Sequence, residues 1–202
     1  MPTAKDRIMG RIQAQGGGWA FSPKDFLDLA TRSSVDKLLH QLVRQGKLRR
    51  IGRGLYFLPR FNSFLKCEIH PSHERIAQAV ARKHRWTIIP HGAIAANLLG
   101  LSQQVPAKAV YLSNGPTKTV RAGQLTIQFR HIEPKEQDFR RYDSAVIVQA
   151  LRYMGKENIE PWMVRRLCEM LPQRVKQHLV EDTRYSTEWI YRVAQRIAEV
   201  GK

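Results

Sequence analysis

The sequence has few cysteines and no long apolar run. Its two cysteines, Cys67 and Cys168, lie far apart and match no disulfide framework, which predicts two buried free thiols. The longest apolar stretch, residues 93–101, contains Asn97 and is much shorter than the ~20 residues that a bilayer requires. The N-terminus also lacks the pattern of a secretory signal. We therefore expect a cytoplasmic protein with no membrane span.

Motifs for cofactor or metal chemistry are also missing. No phosphate-binding loop of the G-x-x-x-x-G-K-S/T type occurs, and residues 52–54 lack the third glycine of a dinucleotide motif. The carboxylates are scattered, whereas a metal-dependent nuclease needs them clustered. Cys67, His70 and His73 have zinc-like spacing but no nearby fourth ligand. The sequence thus predicts no catalytic residue, no metal and no cofactor.

Acidic residues are scarce relative to basic ones. The chain has 34 Lys and Arg against 17 Asp and Glu, a formal net charge of +17. Residues 1–60 hold 12 basic and 4 acidic side chains, so the excess is densest there. Dense positive charge favours binding to a phosphate backbone because it releases condensed counterions. Charge alone does not distinguish DNA from RNA.

Three helix starts are predicted within residues 1–60. Each is a Ser/Thr-x-x-Asp pattern, in which the hydroxyl accepts a bond from a free backbone N–H and the carboxylate favours the positive end of the helix dipole. The patterns pair Thr3 with Asp6, Ser22 with Asp25, and Ser33 with Asp36. We expect the first helix to end at the glycine run 16–18. The second is expected to be short, with three apolar residues facing inward: Phe26, Leu27 and Leu29.

The third helix has the clearest apolar period in the chain. Its stripe consists of Val35, Leu38, Leu39, Leu42 and Val43. Gly46 follows at a C-terminal cap position, and only residues 30–33 separate this helix from the second. Residues 47–58 predict a hairpin with Arg53 at its tip, although Leu48 and Ile51 break strict alternation. This order predicts a winged helix-turn-helix over residues 1–60 that binds duplex DNA.

The face of the third helix opposite its apolar stripe is predicted to contact DNA. Its polar residues are Arg32, Ser34, Lys37, His40, Gln41 and Arg44. Gln and Lys side chains bond base edges, whereas Ser and Arg hold phosphates. Arg53 at the hairpin tip has the reach for a minor groove or a backbone phosphate. The open alternative is a solvated basic face on a purely structural winged helix.

Residues 61–202 are predicted to form a second domain, with an α+β part over 73–135 and a helical part over 136–202. Residues 59–72 indicate a connector between the domains. Patterns in the α+β part predict helices at 74–83 and 93–99, strands at 86–89 and 109–112, and hairpin arms at 117–121 and 124–132. Three or four packed helices follow from residue 136. The predicted fold class is α+β, with a winged helix-turn-helix, a mixed α/β segment and a C-terminal helical bundle.

Several blocks resemble the AbiEi-type antitoxins of bacterial type IV toxin–antitoxin (abortive infection) systems. The resemblance lies in residues 17–26, 51–56, 95–101 and 105–108, and it extends over most of the chain. It implies an N-terminal winged helix that represses its own operon at promoter repeats, with Lys37 and Arg53 as operator contacts. It also implies a C-terminal domain that counteracts a nucleotidyltransferase-like toxin without a stable complex.

The resemblance leaves the antitoxic surface less defined. Candidate contacts to the toxin's nucleic-acid target are Arg121, Arg130, His131, Arg140 and Arg141, and a solvated basic surface is the alternative for each. Two other functions stay open. One is a stand-alone winged-helix transcriptional regulator with a dimerisation or ligand-sensing C-terminal domain. The other is an RNA-binding or nucleolytic enzyme.

Overall fold

The computed structural model describes residues 2–64, 66–104, 106, 108–133 and 141–199. These residues form a mixed α+β protein, as the sequence predicts at that level. The chain divides into two compact units, Met1–Ile88 with Thr119–Ile127 and Ile89–Lys118 with Gln128–Lys202. Within the described ranges, every helix is too short or too polar to cross a bilayer.

The first unit begins with helices and a small antiparallel sheet. Its first elements are α1 (Ala4–Ala14), β1 (Ala20–Phe21), a 3₁₀ helix (Pro23–Phe26), α2 (Arg32–Arg44), β2 (Arg49–Gly52) and β3 (Leu55–Phe57). The strand order is β1-β3-β2, and both pairings are antiparallel. The register between β2 and β3 shifts between Arg50 and Gly52. This irregularity explains why Leu48 and Ile51 break the expected alternation.

One apolar core joins these elements. It consists of Ile8, Ile12, Phe21, Phe26, Val35, Leu39, Leu42 and Leu48. The predicted burial of Leu27 is wrong, since this side chain is 45% exposed. The 3₁₀ helix ends at Phe26, so it supplies one short turn rather than an amphipathic α-helix with room for Leu27 inside.

The start of α2 also differs from its prediction. Thr31 is the N-cap, and its hydroxyl accepts a hydrogen bond from the backbone N–H of Ser34 at 3.4 Å. The predicted box of Ser33 with Asp36 does not form, because α2 begins at Arg32 and Ser33 already lies inside it; the Asp36 carboxylate accepts from Arg32 instead. The predicted end is correct: Gly46 follows the C-cap in the left-handed conformation that favours glycine.

The first unit continues past residue 60, where the sequence predicts a domain boundary. It adds β4 (Arg60–Asn62), β5 (Cys67–Ile69) and α3 (His73–His84), and β4 pairs with β5 inside the predicted connector. Arg82 of α3 donates to the Ala20 carbonyl at 2.8 Å, and Arg75 donates to the Gly17 carbonyl at 2.7 Å. These bonds attach α3 to the N-terminal elements. The prediction that Cys67 is buried is wrong: its thiol is exposed, because Cys67 begins β5 of the small two-stranded sheet β4–β5.

The rest of the chain adds a sheet and a helical layer. The strands are β6 (Ile88–Pro90), β7 (Ala109–Ser113), β8 (Lys118–Ala122) and β9 (Leu125–His131), in the order β6-β7-β9-β8. The helices are α4 (Ala93–Leu98), α5 (Tyr142–Met154), α6 (Pro161–Met170), α7 (Gln173–Thr183) and α8 (Glu188–Glu199). Buried residues of α4–α8 share one core. The thiol of Cys168 on α6 is also buried, as predicted. The start predicted for the first C-terminal helix, residue 136, lies outside the described residues. Within those residues, the helices α5–α8 agree with the three or four predicted for this part of the chain.

Candidate nucleic-acid interface

The exposed face of α2 carries all the polar residues that the sequence assigns to it. Arg32, Ser34, Lys37, His40, Gln41 and Arg44 are all exposed. The opposite face packs into the core through Val35, Leu39 and Leu42, which are fully buried. This burial fixes the rotation of α2 about its axis, and the polar side chains face the solvent as one set.

The residues on this face differ in how they are held. Arg32 donates to the Asp36 carboxylate at 2.8 Å, and the Thr31 hydroxyl donates to that of Ser34 at 2.9 Å. The side chains of Lys37, His40, Gln41 and Arg44 make no hydrogen bond or ion pair with another described residue. The first turn of α2 is therefore internally satisfied, whereas the middle and last turns are available to a ligand.

The acidic residues of the N-terminal segment are all partnered. Asp6 pairs with Thr3, Asp25 with Arg82, Asp28 with Arg11, and Asp36 with Arg32. Hydrogen bonds from Arg11 hold the pKa of Asp28 below its ordinary value, and the Thr3 hydroxyl does the same for Asp6. Each of the four carboxylates is thus paired with a guanidinium or hydrogen-bonded to a nearby hydroxyl. Of these four carboxylates, only Asp36 therefore neutralises a positive charge on α2.

The β2–β3 hairpin is fixed by residues that come much later in the chain. The Lys83 ammonium donates to the Arg53 carbonyl at 2.9 Å, and the Gly123 N–H donates to the Ile51 carbonyl at 3.2 Å. The Arg53 side chain itself is exposed and makes no hydrogen bond or ion pair with another described residue. The backbone of the hairpin tip is thus fixed by hydrogen bonds, whereas the guanidinium of Arg53 stays exposed to solvent. No sequence pattern indicates these two contacts.

The second predicted set of basic residues is not uniform. Arg141 binds Asp182 at 2.8 Å and Glu181 at 3.0 Å, which ties the start of α5 to α7. His131 bonds the Gly115 carbonyl through Nδ1 at 2.9 Å. Both side chains therefore have a structural role. The side chains of Arg121 on β8 and Arg130 on β9 are exposed and form no hydrogen bond or ion pair with another described residue, and Arg140 lies outside the described residues.

His73 begins α3 and lines a pocket of about 480 Å³ in the first unit, together with His70, Gly123 and Leu125. Burial lowers the pKa of His73 from its ordinary value of 6.5, because desolvation disfavours the imidazolium cation. In the part of the chain that the structure describes, no group of three His, Cys, Asp or Glu side chains is placed to hold a metal ion.

We expect the first unit to lose stability as the pH falls from 7.5 to about 5.5. The pKa of His73 is lower in the folded protein than in the unfolded chain, so below about pH 6.5 the unfolded chain binds a proton more readily. The contribution of His73 to the free energy of unfolding is therefore complete above pH 6.5 and decreases as the pH drops through that value. Hydrogen-exchange protection of α3 peptides in the full chain measures this. His73→Gln should weaken the pH dependence, whereas His40→Gln, at an exposed position, should retain it. An unchanged profile in His73→Gln would assign the effect to another group.

The geometry defines an α+β protein with a basic, largely unpartnered helix face in its first unit. The chain belongs to DUF6088, a family of unknown function, whose model matches residues 7–179. The match includes residues of both compact units. No curated protein shows significant similarity to the sequence.

Proposed function

We propose that the N-terminal elements form a winged helix-turn-helix that binds duplex DNA. The observation that carries this proposal is the exposed face of α2, where Lys37, Gln41 and Arg44 have no partner among the described residues. Further support comes from the order of α1, the 3₁₀ helix, α2 and the β2–β3 hairpin, with β1 as a third strand paired to β3. In this proposal the hairpin is the wing.

In the proposed binding mode, α2 and the wing contact different grooves of the DNA. α2 lies in the major groove, where Gln41 and Lys37 bond base edges and Arg44 holds a phosphate. Arg53 at the wing tip enters the adjacent minor groove or binds its phosphates. Because Lys83 and Gly123 hold the wing backbone, Arg53 loses less conformational freedom on binding than it would on a free loop.

We further propose that the chain is an AbiEi-type antitoxin of a type IV system that represses its own operon and counteracts a nucleotidyltransferase-like toxin. This step rests on the resemblance described above. Residues 95–101 contribute buried Ala95, Ala96 and Leu101 to the core of the second unit. The resemblance in this block thus concerns residues that determine how the second unit packs.

A footprint of the full chain on the DNA upstream of its own gene tests the proposal. At about 150 mM salt, where exposed charges are screened beyond roughly 8 Å, we expect protection of an inverted repeat and weaker binding to a shuffled duplex. Equal affinity for both duplexes would contradict operator binding. The neighbouring gene distinguishes the two regulatory roles. An antitoxin should restore growth of cells that express the adjacent gene, whereas a stand-alone regulator should protect the repeat without any such rescue.

A further inference from the structure

The second unit contains a pocket of about 480 Å³ that the proposed DNA binding does not use. Arg130 of β9 lines it together with Arg152 and Tyr153 of α5, and Leu112 and Ile132 supply apolar surface. None of the described residues that line this pocket carries a carboxylate. Two guanidinium groups with no lining acid favour an anionic ligand, because Arg binds phosphate and carboxylate oxygens through paired N–H groups.

His91 adds an oriented imidazole to the lining. Its Nδ1 lies 2.7 Å from Oε1 of Gln149 on α5. An amide oxygen only accepts hydrogen bonds, so Nδ1 is the donor in this pair and Nε2 is left for another partner. The backbone N–H of His91 also donates to the Val110 carbonyl at 3.0 Å, which fixes this segment against β7.

Tyr153 is held at the pocket by contacts at both ends of its ring. Its hydroxyl donates to Oε1 of Gln104 at 3.0 Å. Gly92 lies against the ring edge, where an added Cβ would be 3.4 Å from Cδ2 of Tyr153, and Gly92 has a φ of +60°. A side chain at residue 92 would therefore be strained, and its Cβ would lie in van der Waals contact with the Tyr153 ring. Tyr153 nevertheless stays 43% exposed, so part of it is accessible to a ligand.

We propose that this pocket binds a nucleoside monophosphate. Arg130 and Arg152 bind the phosphate oxygens, and the base packs on the ring of Tyr153 and the apolar surface of Leu112 and Ile132. With Nδ1 as the donor to Gln149, His91 Nε2 is left as an acceptor, and it is placed to accept a hydrogen bond from a ribose hydroxyl. The volume falls in the range of about 300–1,000 Å³ typical of small-molecule sites, and a few polar groups on an apolar lining are typical of such sites. This binding does not depend on the DNA-binding proposal.

Isothermal titration of the full chain tests the proposal with four ribonucleoside 5′-monophosphates and with inorganic phosphate. We expect at least one nucleotide to bind about tenfold more tightly than phosphate, because only the nucleotide contacts Tyr153. Arg130→Ala should weaken binding of that nucleotide about tenfold or more, since it removes charge-assisted hydrogen bonds. Tyr153→Ala should weaken nucleotide binding but leave phosphate binding unchanged.

Arg165→Ala is the matched control, because Arg165 is an exposed arginine of α6 outside the pocket lining. Arg130→Lys keeps the charge without the paired N–H geometry and replaces Arg130→Ala if that variant unfolds. Three results would overturn the proposal. The first is that no nucleotide gives a heat of binding at about 10 mM, where even a weak complex would form. The second is that phosphate binds as tightly as every nucleotide. The third is that both Arg130 variants bind the nucleotide with unchanged affinity.

Discussion

Reversing the charges of Lys37 and Arg44 together should lower the affinity of the full chain for its promoter duplex by at least about 100-fold. Both side chains are exposed on α2 and have no partner among the described residues, so the change leaves no buried group unsatisfied. Each reversal removes one attraction to the DNA backbone and adds a repulsion. Fluorescence anisotropy over a salt series measures the loss, and the slope of log K against log salt should fall by about two units.

The matched control reverses Arg165 and Arg174, which are exposed and lie in the second unit. This variant has the same net charge as the Lys37 and Arg44 variant. We expect it to bind the promoter within about threefold of the natural chain, because screening weakens interactions between distant exposed charges. Equal losses in the two variants would show that overall charge, rather than the face of α2, determines binding.

Replacing Leu39 by Ala should reduce the free energy of unfolding of the first unit by about 2–5 kcal/mol. Leu39 is fully buried in the core that holds α2 against α1 and the small sheet. The shortened side chain loses its transfer free energy and leaves a cavity that its neighbours fill only in part. Hydrogen exchange of peptides from residues 1–88 measures the change within this unit, since the full chain need not unfold in one step.

Leu27→Ala is the corresponding surface control, because Leu27 is 45% exposed. We expect its effect to stay within about 0.5 kcal/mol, as for other exposed positions without special contacts. The pair also tests the correction of the sequence prediction, which placed both leucines inside. A loss at Leu27 as large as that at Leu39 would contradict the exposed position of Leu27.

Local periodicity explains what could be predicted about α2. Its apolar residues repeat with the helical period over more than two turns, so the sequence indicates both the helix and the face that it buries. The 3₁₀ helix is too short to show a period, and the exposure of Leu27 could not be read from it. Thr31 rather than Ser33 is the N-cap, so Ser33 and Asp36 both lie inside α2, and the Ser-x-x-Asp spacing alone does not show which of two nearby hydroxyls begins the helix.

Long-range contacts account for most of what the sequence does not reveal about the candidate sites. Arg141 looks like an exposed basic residue in the sequence, but it binds Asp182, which is 41 positions away. The attachment of α3 depends on Arg82 donating to the carbonyl of Ala20, a backbone group that no residue type encodes. The pocket around Tyr153 combines β7, β9 and α5. Such sites arise from tertiary packing, so the spacing of residues along the chain does not indicate them.

Residues Thr119–Ile127 belong to the first unit, and Gly123 among them supports the β2–β3 hairpin through the Ile51 carbonyl. Domains generally fold as units during synthesis. The first unit therefore cannot reach its final structure while only its N-terminal 88 residues have been translated. A ribosome must first add 30 residues of the second unit and then residues 119–127. The N-terminal surface is completed only once Ile127 has been synthesised.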